Sequence, residues 1–306
     1  MQRVIDISQE GVHLAKLRGF MTITKDRTEL GRVAIDEISA VVIHAHGTTY
    51  SNSLMITLAE SAAIVVLCAK NHFPTAYLIS LEGHHAQAGR ISNQIEAKRP
   101  LKNQLWKKIV AQKILMQGTA LSAFNENSAR LIMMAREVKS GDKNNVEAQA
   151  ARHYWPLMMG KGFLRDRTAH DANALLNYGY TILRAAVARA IIAAGLHPSI
   201  GVHHHSKVNA FALSDDLIEP FRPLVDCVVC GLIESGVEGV TPDAKRALAK
   251  ILDFDLNLGT SLSPLRTAVE VLCNSLVQSY EKGKENLVFA KMPDPLQLQS
   301  LRHFRG

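Results

Sequence analysis

Residues 201–209 read GVHHHSKVN, three histidines in a row. Consecutive side chains cannot share a face: in a strand His203 and His205 point one way and His204 the other, and on a helix the three fan out. At most one or two of them can serve a single site. Just beyond, FALSDDLIEPFRP (residues 211–223) puts Asp215, Asp216 and Glu219 where a helix starts. Ser214 is a candidate N-cap, with acidic residues placed to complement the helix dipole. Pro220 and Pro223 argue that the helix begins close to Glu219, because a proline deeper inside would cost a hydrogen bond and clash with the preceding turn. If Asp216 is already helical, Asp216 and Glu219 share a face at i, i+3. Acids at a helix start are ordinarily caps; beside a histidine-bearing loop they also offer ligands to a cation.

Another carboxylate belongs in the same discussion. In NNVEAQAARHYWPLMMG, Glu147, Ala150, Ala151, Tyr154 and Met158 recur at helical spacing, with Arg152 and His153 off the stripe. A carboxylate on an apolar helix face needs a cation, a metal or a hydrogen-bond donor beside it. Arg152, Arg165, Arg167 or Arg184 could supply the charge. The alternative is a divalent metal held by Glu147, one loop histidine and Glu219, an oxygen-rich set with one imidazole that suits manganese or magnesium better than a closed thiolate zinc site. Spacing alone leaves both open.

These residues need a scaffold, and the chain changes texture along its length. VHLAKL, FMTITK, ISAVVIH, AAIVVLC and TAYLISL are short apolar runs between turn residues and predict strands, with SLMITLAE a short helix among them. From Arg90 onward the apolar residues recur at three and four, as in LWKKIVAQKIL and TILRAAVARAII, over stretches too long for strands. The expected fold is α+β and multidomain: a small β-rich N-terminal domain over residues 1–88, then a larger all-helical catalytic domain over residues 89–306. The tail after Met292 reads equally as a loose arm or as a last helix.

The 306 residues carry 47% hydrophobic content and a formal charge of +7, which favours polyanionic partners without identifying one. No apolar run approaches the roughly 20 residues of a membrane span, and the start lacks the pattern of a signal peptide, so a cytoplasmic location is expected. Cys68 and Cys273 stand alone and Cys227 and Cys230 form a single CVVC, which reads as buried thiols rather than as a zinc or redox site. Lys98, Arg99, Lys102, Lys107, Lys108 and Lys113 face one acid, Glu96, and form either a solvated helix face or a phosphate-contacting one. Arg165 and Arg167, in GFLRDRTAHD, are better placed for phosphates near the site. The pairs His44 and His46, and His84 and His85, read as surface or packing residues without acidic ligands nearby.

The segments NVEAQAARHYW, NALLNYGYTILRAAVARAIIAAGLHPSIGVHHH and FALSDDLIEPFRPLVD, in that order, resemble the motifs of the CRISPR-associated adaptation integrase family. The likeness extends to the N-terminal β pattern and to LKNQLWKKIVAQKILMQ, so it covers nearly the whole chain, and the length and the histidines after Gly201 look most like type II systems. The resemblance implies a metal-dependent DNA integrase with associated endonuclease activity, which joins the 3′-hydroxyl ends of short DNA fragments into a CRISPR repeat by transesterification. Carried over residue by residue, it makes Glu147, His204 and Glu219 the catalytic ligands of Mg²⁺ or Mn²⁺. Asp216 then supports those ligands or is a secondary one, Asn173 and Asn177 brace the helices around the site, His203 packs or supports the ligands, and His205 faces solvent or DNA. It also implies double-stranded DNA as spacer and repeat, a homodimer formed through the N-terminal domain, a heterohexamer with a small adaptation protein, and contacts with other type II components. A metal-dependent nuclease using water as nucleophile, or a non-catalytic DNA-binding scaffold, would use the same sequence differently.

Overall fold

The computed structural model describes residues 3–69, 74–80, 84–166, 168–169, 171–204, 208–259 and 261–302. Arg167 and His205, both singled out above, lie outside the described residues. The chain divides into two units, Met1–His85 and Ala86–Gly306.

The first unit holds two four-stranded sheets. One has β1 (Arg3–Ile7), β5 (Ile38–Ile43), β7 (Ile64–Cys68) and β8 (Pro74–Leu78), in the order β1-β5-β7-β8. The other has β2 (His13–Leu17), β3 (Phe20–Lys25), β4 (Thr28–Ala34) and β6 (Thr49–Tyr50), in the order β4-β3-β2-β6. Strand β5 lies between parallel partners on both sides and is buried throughout, as its unbroken ISAVVI run requires. Helix α1 (Asn52–Glu60) starts at Ser51, whose side chain accepts from Leu54 N, and turns Leu54, Met55 and Leu58 into the core with Leu14, Met21, Val41 and Val65. Strand β4 escapes the sequence pattern because it is an edge strand, interrupted by Gly31 and largely exposed, so no buried face enforces alternation. His44, expected without an acidic neighbour, is instead buried with Nε2 3.0 Å from Asp6 Oδ2.

The second unit is built around α3 (Arg99–Ala123), a 25-residue helix preceded by α2 (Gln87–Glu96). Against α3 pack α4 (Ala129–Glu137), α5 (Val146–Met158), α7 (Ala212–Ile218), α8 (Arg222–Glu234) and α11 (Pro295–Arg302); α6 (Ala172–Ala193) packs on α7, α8, α9 (Pro242–Ala249) and α10 (Leu265–Lys282). The tail after Met292 thus ends in a docked helix, whose Arg302 backbone approaches Gly231 so closely that a Cβ there would lie 2.1 Å from the Arg302 oxygen. Two expectations are corrected. The unit is not all-helical, since β9 (Asp255–Asn257) and β10 (Leu262–Pro264) form a hairpin, too short at three residues each for alternation to register. The helix carrying Glu219 does not begin there either: α7 starts at Ala212, and a 3₁₀ turn, Glu219–Phe221, joins it to α8. Pro220 sits in that tight turn and Pro223 in the first turn of α8, where neither removes a needed α-helical bond, so Ser214 is buried inside α7 and caps nothing.

No helix is long and apolar enough to cross a membrane among the described residues. All four cysteines are free and buried; burial pushes the Cys230 thiol up to about 12.

Candidate active site

Glu147 owes its place to a capping device. Asn145 turns the chain through a left-handed conformation (φ 52°), and the Asp142 carboxylate accepts from Val146 N at 2.9 Å and Glu147 N at 3.0 Å, closing the first turn of α5. Val146, Ala150, Tyr154 and Met158 are buried, which leaves Glu147 at the margin of the stripe and three-quarters covered. The cation that the described residues place on it is a lysine. The Lys113 ammonium, reaching from the middle of α3, donates to Glu147 Oε1 at 2.6 Å and lies 2.5 Å from Glu219 Oε2. Sequence reasoning counted Lys113 in a cluster read as either a solvated or a phosphate-contacting face, yet Leu105, Ile109 and Lys113 fall on one i, i+4 ladder, a register that assigns this lysine to the covered face.

Glu219 is buried where α7 gives way to α8 and has two cations: Lys113 on Oε2, and Arg222 on Oε1 at 3.0 Å. Burial alone would push its carboxyl up, but Arg222 and Lys113 outweigh it and hold the group ionised, below 4.5. For Lys113 burial pulls the other way, and the two glutamates overcome it.

The histidine loop folds around Asp216. This carboxylate, fully buried on α7, accepts from the backbone N–H of Val202 (2.7 Å), His203 (2.9 Å) and His204 (3.3 Å) and pairs with His204 Nδ1 at 2.5 Å. The contact with Asp216 raises the His204 imidazole above 6.5, with Glu219 adding to the effect. His203 stacks on Trp106 of α3, ring centroids 4.3 Å apart and planes within 3°, and His204 meets the same indole edge-on at 5.7 Å. The two neighbouring histidines therefore share one aromatic surface rather than opposite faces, with the His203 ring stacked flat and the His204 side chain 46% exposed.

Below this site lies a polar knot. Tyr154 and Tyr180 both donate to buried Asp226, at 2.9 and 2.5 Å, and the Arg222 guanidinium lies 4.8 Å from the Tyr180 ring centroid. Burial pushes the Asp226 carboxyl up to about 6, against the tyrosine hydrogen bonds. Stability from its neutral form is complete below the unfolded value of 3.8 and is lost as pH rises through 6. Two units correspond to about 3 kcal/mol. Urea denaturation is therefore expected to show the wild type losing about that much relative to Asp226→Asn between pH 4 and pH 7.

Other candidates have different placements. Arg165 is tied into the protein, donating to Asn173 Oδ1 at 2.8 Å and Asn177 Oδ1 at 2.6 Å and lying over Tyr180. Asn173 also holds Asp166 N and Leu164 O, so the two asparagines brace the 164–166 loop onto α6. Asp215 takes Arg184 at 2.7 and 2.5 Å. Lys98, Arg99 and Lys108 are exposed and Lys102 and Lys107 half-buried on α3.

Among the described residues no three His, Cys, Asp or Glu side chains stand at mutual liganding distance. The donor set nonetheless fits a hard divalent ion: two carboxylate oxygens, Glu147 Oε1 and Glu219 Oε2, converge on one cationic group, and the neighbouring imidazole has Nδ1 on a carboxylate, so that its neutral form can offer Nε2.

The model of the family "CRISPR associated protein Cas1" matches residues 5–241. The chain belongs to the Cas1 family. The family is CRISPR-associated, and the curated relatives that the chain matches are named endonucleases. The Cas1 endonuclease of Neisseria meningitidis serogroup C is 34% identical over 277 residues, covering 89% of this chain and 90% of that one. The Cas1 fold recurs in a casposase bound to its integration product (TM-score 0.79, 19% identity, covering 96% of this chain and 93% of that one). It recurs again in a Cas6-RT-Cas1–Cas2 complex (TM-score 0.75, 15% identity, covering 95% of this chain and 36% of that one).

Proposed function

We propose that Glu147, His204 and Glu219 hold one or more divalent ions, Mg²⁺ or Mn²⁺, and that this site joins the 3′-hydroxyl of a short DNA fragment to a phosphodiester of a CRISPR repeat. The observation that supports it most is the convergence of Glu147 Oε1 and Glu219 Oε2 on a single cationic group, beside an imidazole oriented by Asp216. A bound divalent ion would polarise the phosphate and neutralise developing charge. The protein's own residues do the rest. Arg222 fixes Glu219 by Oε1 and leaves Oε2 turned to Lys113; Asp216 sets the tautomer of His204; Trp106, stacked on His203, pins the loop that carries His204. Attack by the hydroxyl releases a repeat 3′-oxygen as one phosphodiester replaces another, so no covalent enzyme intermediate is needed.

Lys98, which precedes α3, and Arg99, Lys102, Lys107 and Lys108 in its first turns are the proposed backbone-contacting set, acting on any sequence alike. Arg165 acts through the loop it braces. Double-stranded DNA, a second copy of the chain and a small adaptation partner, assembled as a heterohexamer, complete the reading; the casposase bound to its integration product and the Cas1–Cas2 complex support the first and the last.

The test combines 3′-hydroxyl duplexes, a supercoiled repeat-bearing plasmid and Mn²⁺ or Mg²⁺, with and without the small partner. Metal-dependent joined products are expected. Cleavage without joining would make the site a nuclease alone, and absence of any metal-dependent chemistry would leave a scaffold.

A further inference from the structure

Lys113 differs from an ordinary buried ion-pair partner in three ways. It bridges two carboxylates that belong to two different elements, Glu147 on α5 and Glu219 at the junction of α7 and α8. Its side chain is only 12% exposed, so water does little to screen the arrangement. And its two contacts are unlike: Glu147 Oε1 receives a well-directed hydrogen bond, whereas buried Glu219 Oε2, 2.5 Å from the ammonium, meets it chiefly as charge against charge.

The charges explain why such a group is there. Glu147 and Glu219 contribute two negative charges, and Lys113 and Arg222 set two positive ones against them. Remove the ammonium and two carboxylates face each other across a mostly covered space, with Arg222 reaching only one of them. Add a divalent ion with the ammonium still in place and like charges meet at contact distance.

We infer that Lys113 is the resident counter-ion of the metal site, holding Glu147 and Glu219 together in the metal-free protein and giving way to the divalent ion, so that metal binding is an exchange of cations. This rests on the metal reading above and goes beyond it. The exchange keeps the empty site assembled and lowers its metal affinity, since each binding event must first displace a well-placed ammonium.

The experiment is calorimetric titration of the full chain with MnCl₂, with thermal melts in EDTA and in Mn²⁺. Lys113→Met is expected to melt lower than wild type in EDTA, to gain more from Mn²⁺, and to bind Mn²⁺ roughly tenfold more tightly, in the range of ordinary coupling between two ligands of one site. Lys113→Gln, which is neutral but can still donate to Glu147, is expected to show the same tightening and serves if the methionine variant does not fold. Lys113→Arg keeps the charge and is expected to stay near wild type. Equal or weaker Mn²⁺ affinity in both neutral variants, with binding lost in Glu147→Gln/Glu219→Gln, overturns the exchange and leaves the metal reading standing. Mn²⁺ binding that survives in the double glutamine variant, or that is absent from every form, overturns both.

Discussion

Glu147→Ala and His204→Ala are each expected to lower DNA joining by on the order of a hundredfold to a thousandfold, the scale of removing one charge-stabilising group from a transition state. Fluorescence anisotropy should find DNA affinity nearly unchanged, because affinity comes from phosphate contacts distributed over a basic face rather than from the reacting centre. These two positions separate chemistry from folding better than Glu219 does. Glu147 and His204 are partly exposed and each leaves a partner satisfied elsewhere: Lys113 keeps Glu219, and Asp216 keeps three backbone donors. Removing Glu219 strips a buried carboxylate from both Lys113 and Arg222, a change that costs about 3–5 kcal/mol in comparable buried pairs, so Glu219→Gln is the better variant there. If Glu147→Ala joined DNA at the wild-type rate with the same metal dependence, Glu147 would be a structural partner of Lys113 and no ligand.

The second large effect is expected at Gly201. A Cβ there would lie 2.5 Å from the His204 carbonyl oxygen and 2.9 Å from Asp216 Oδ2, with Ala212 Cβ at 3.3 Å. None of these can yield cheaply, since one is backbone, one is a carboxylate already holding three N–H groups, and one is in the first turn of α7. Gly201→Ala must therefore push the loop outward and carry His204 with it. A displacement of about 1 Å in a positioned group costs about a hundredfold in rate, and overpacking of this kind costs about 1–3 kcal/mol in stability. Joining should fall about as far as in His204→Ala while the protein still melts cooperatively. Gly89→Ala is the control: it is exposed on α2 with nothing within 4 Å of the new methyl group, and should be neutral or slightly stabilising. A Gly201→Ala protein with normal activity would show that the loop does not need its close approach to Asp216.

Gly201 also shows what in this molecule can be read from its sequence. The spacing from Gly201 to His204 is legible as a motif, whereas the alternation expected of neighbouring side chains is not what distinguishes the two, since both rings meet Trp106; the structure adds a loop wrapped tightly round one carboxylate. Long periodic segments such as α3 and α6 are legible because a buried stripe enforces their pattern over many turns. Strand β4 and the β9–β10 hairpin are not, since edge strands and three-residue strands bury too little to impose one. The start of the Glu219 helix misleads because two prolines look like a boundary, whereas a 3₁₀ turn accommodates both without ending the run. What local pattern cannot supply is partnership across the chain. Lys113 meets Glu147 over 34 residues, and Tyr154 meets Asp226 over 72. Only the register of Lys113 on an apolar ladder hints that its charge is spent inward.

The central claim, that Glu147, His204 and Glu219 form one metal site, is tested most directly by anomalous diffraction from crystals of this chain soaked in Mn²⁺. The account predicts a manganese peak at bonding distance from a carboxylate oxygen of Glu147, from Nε2 of His204 and from Oε2 of Glu219, with the Lys113 ammonium moved off at least one carboxylate. A peak on other residues, or none at Mn²⁺ concentrations that support joining, would contradict it.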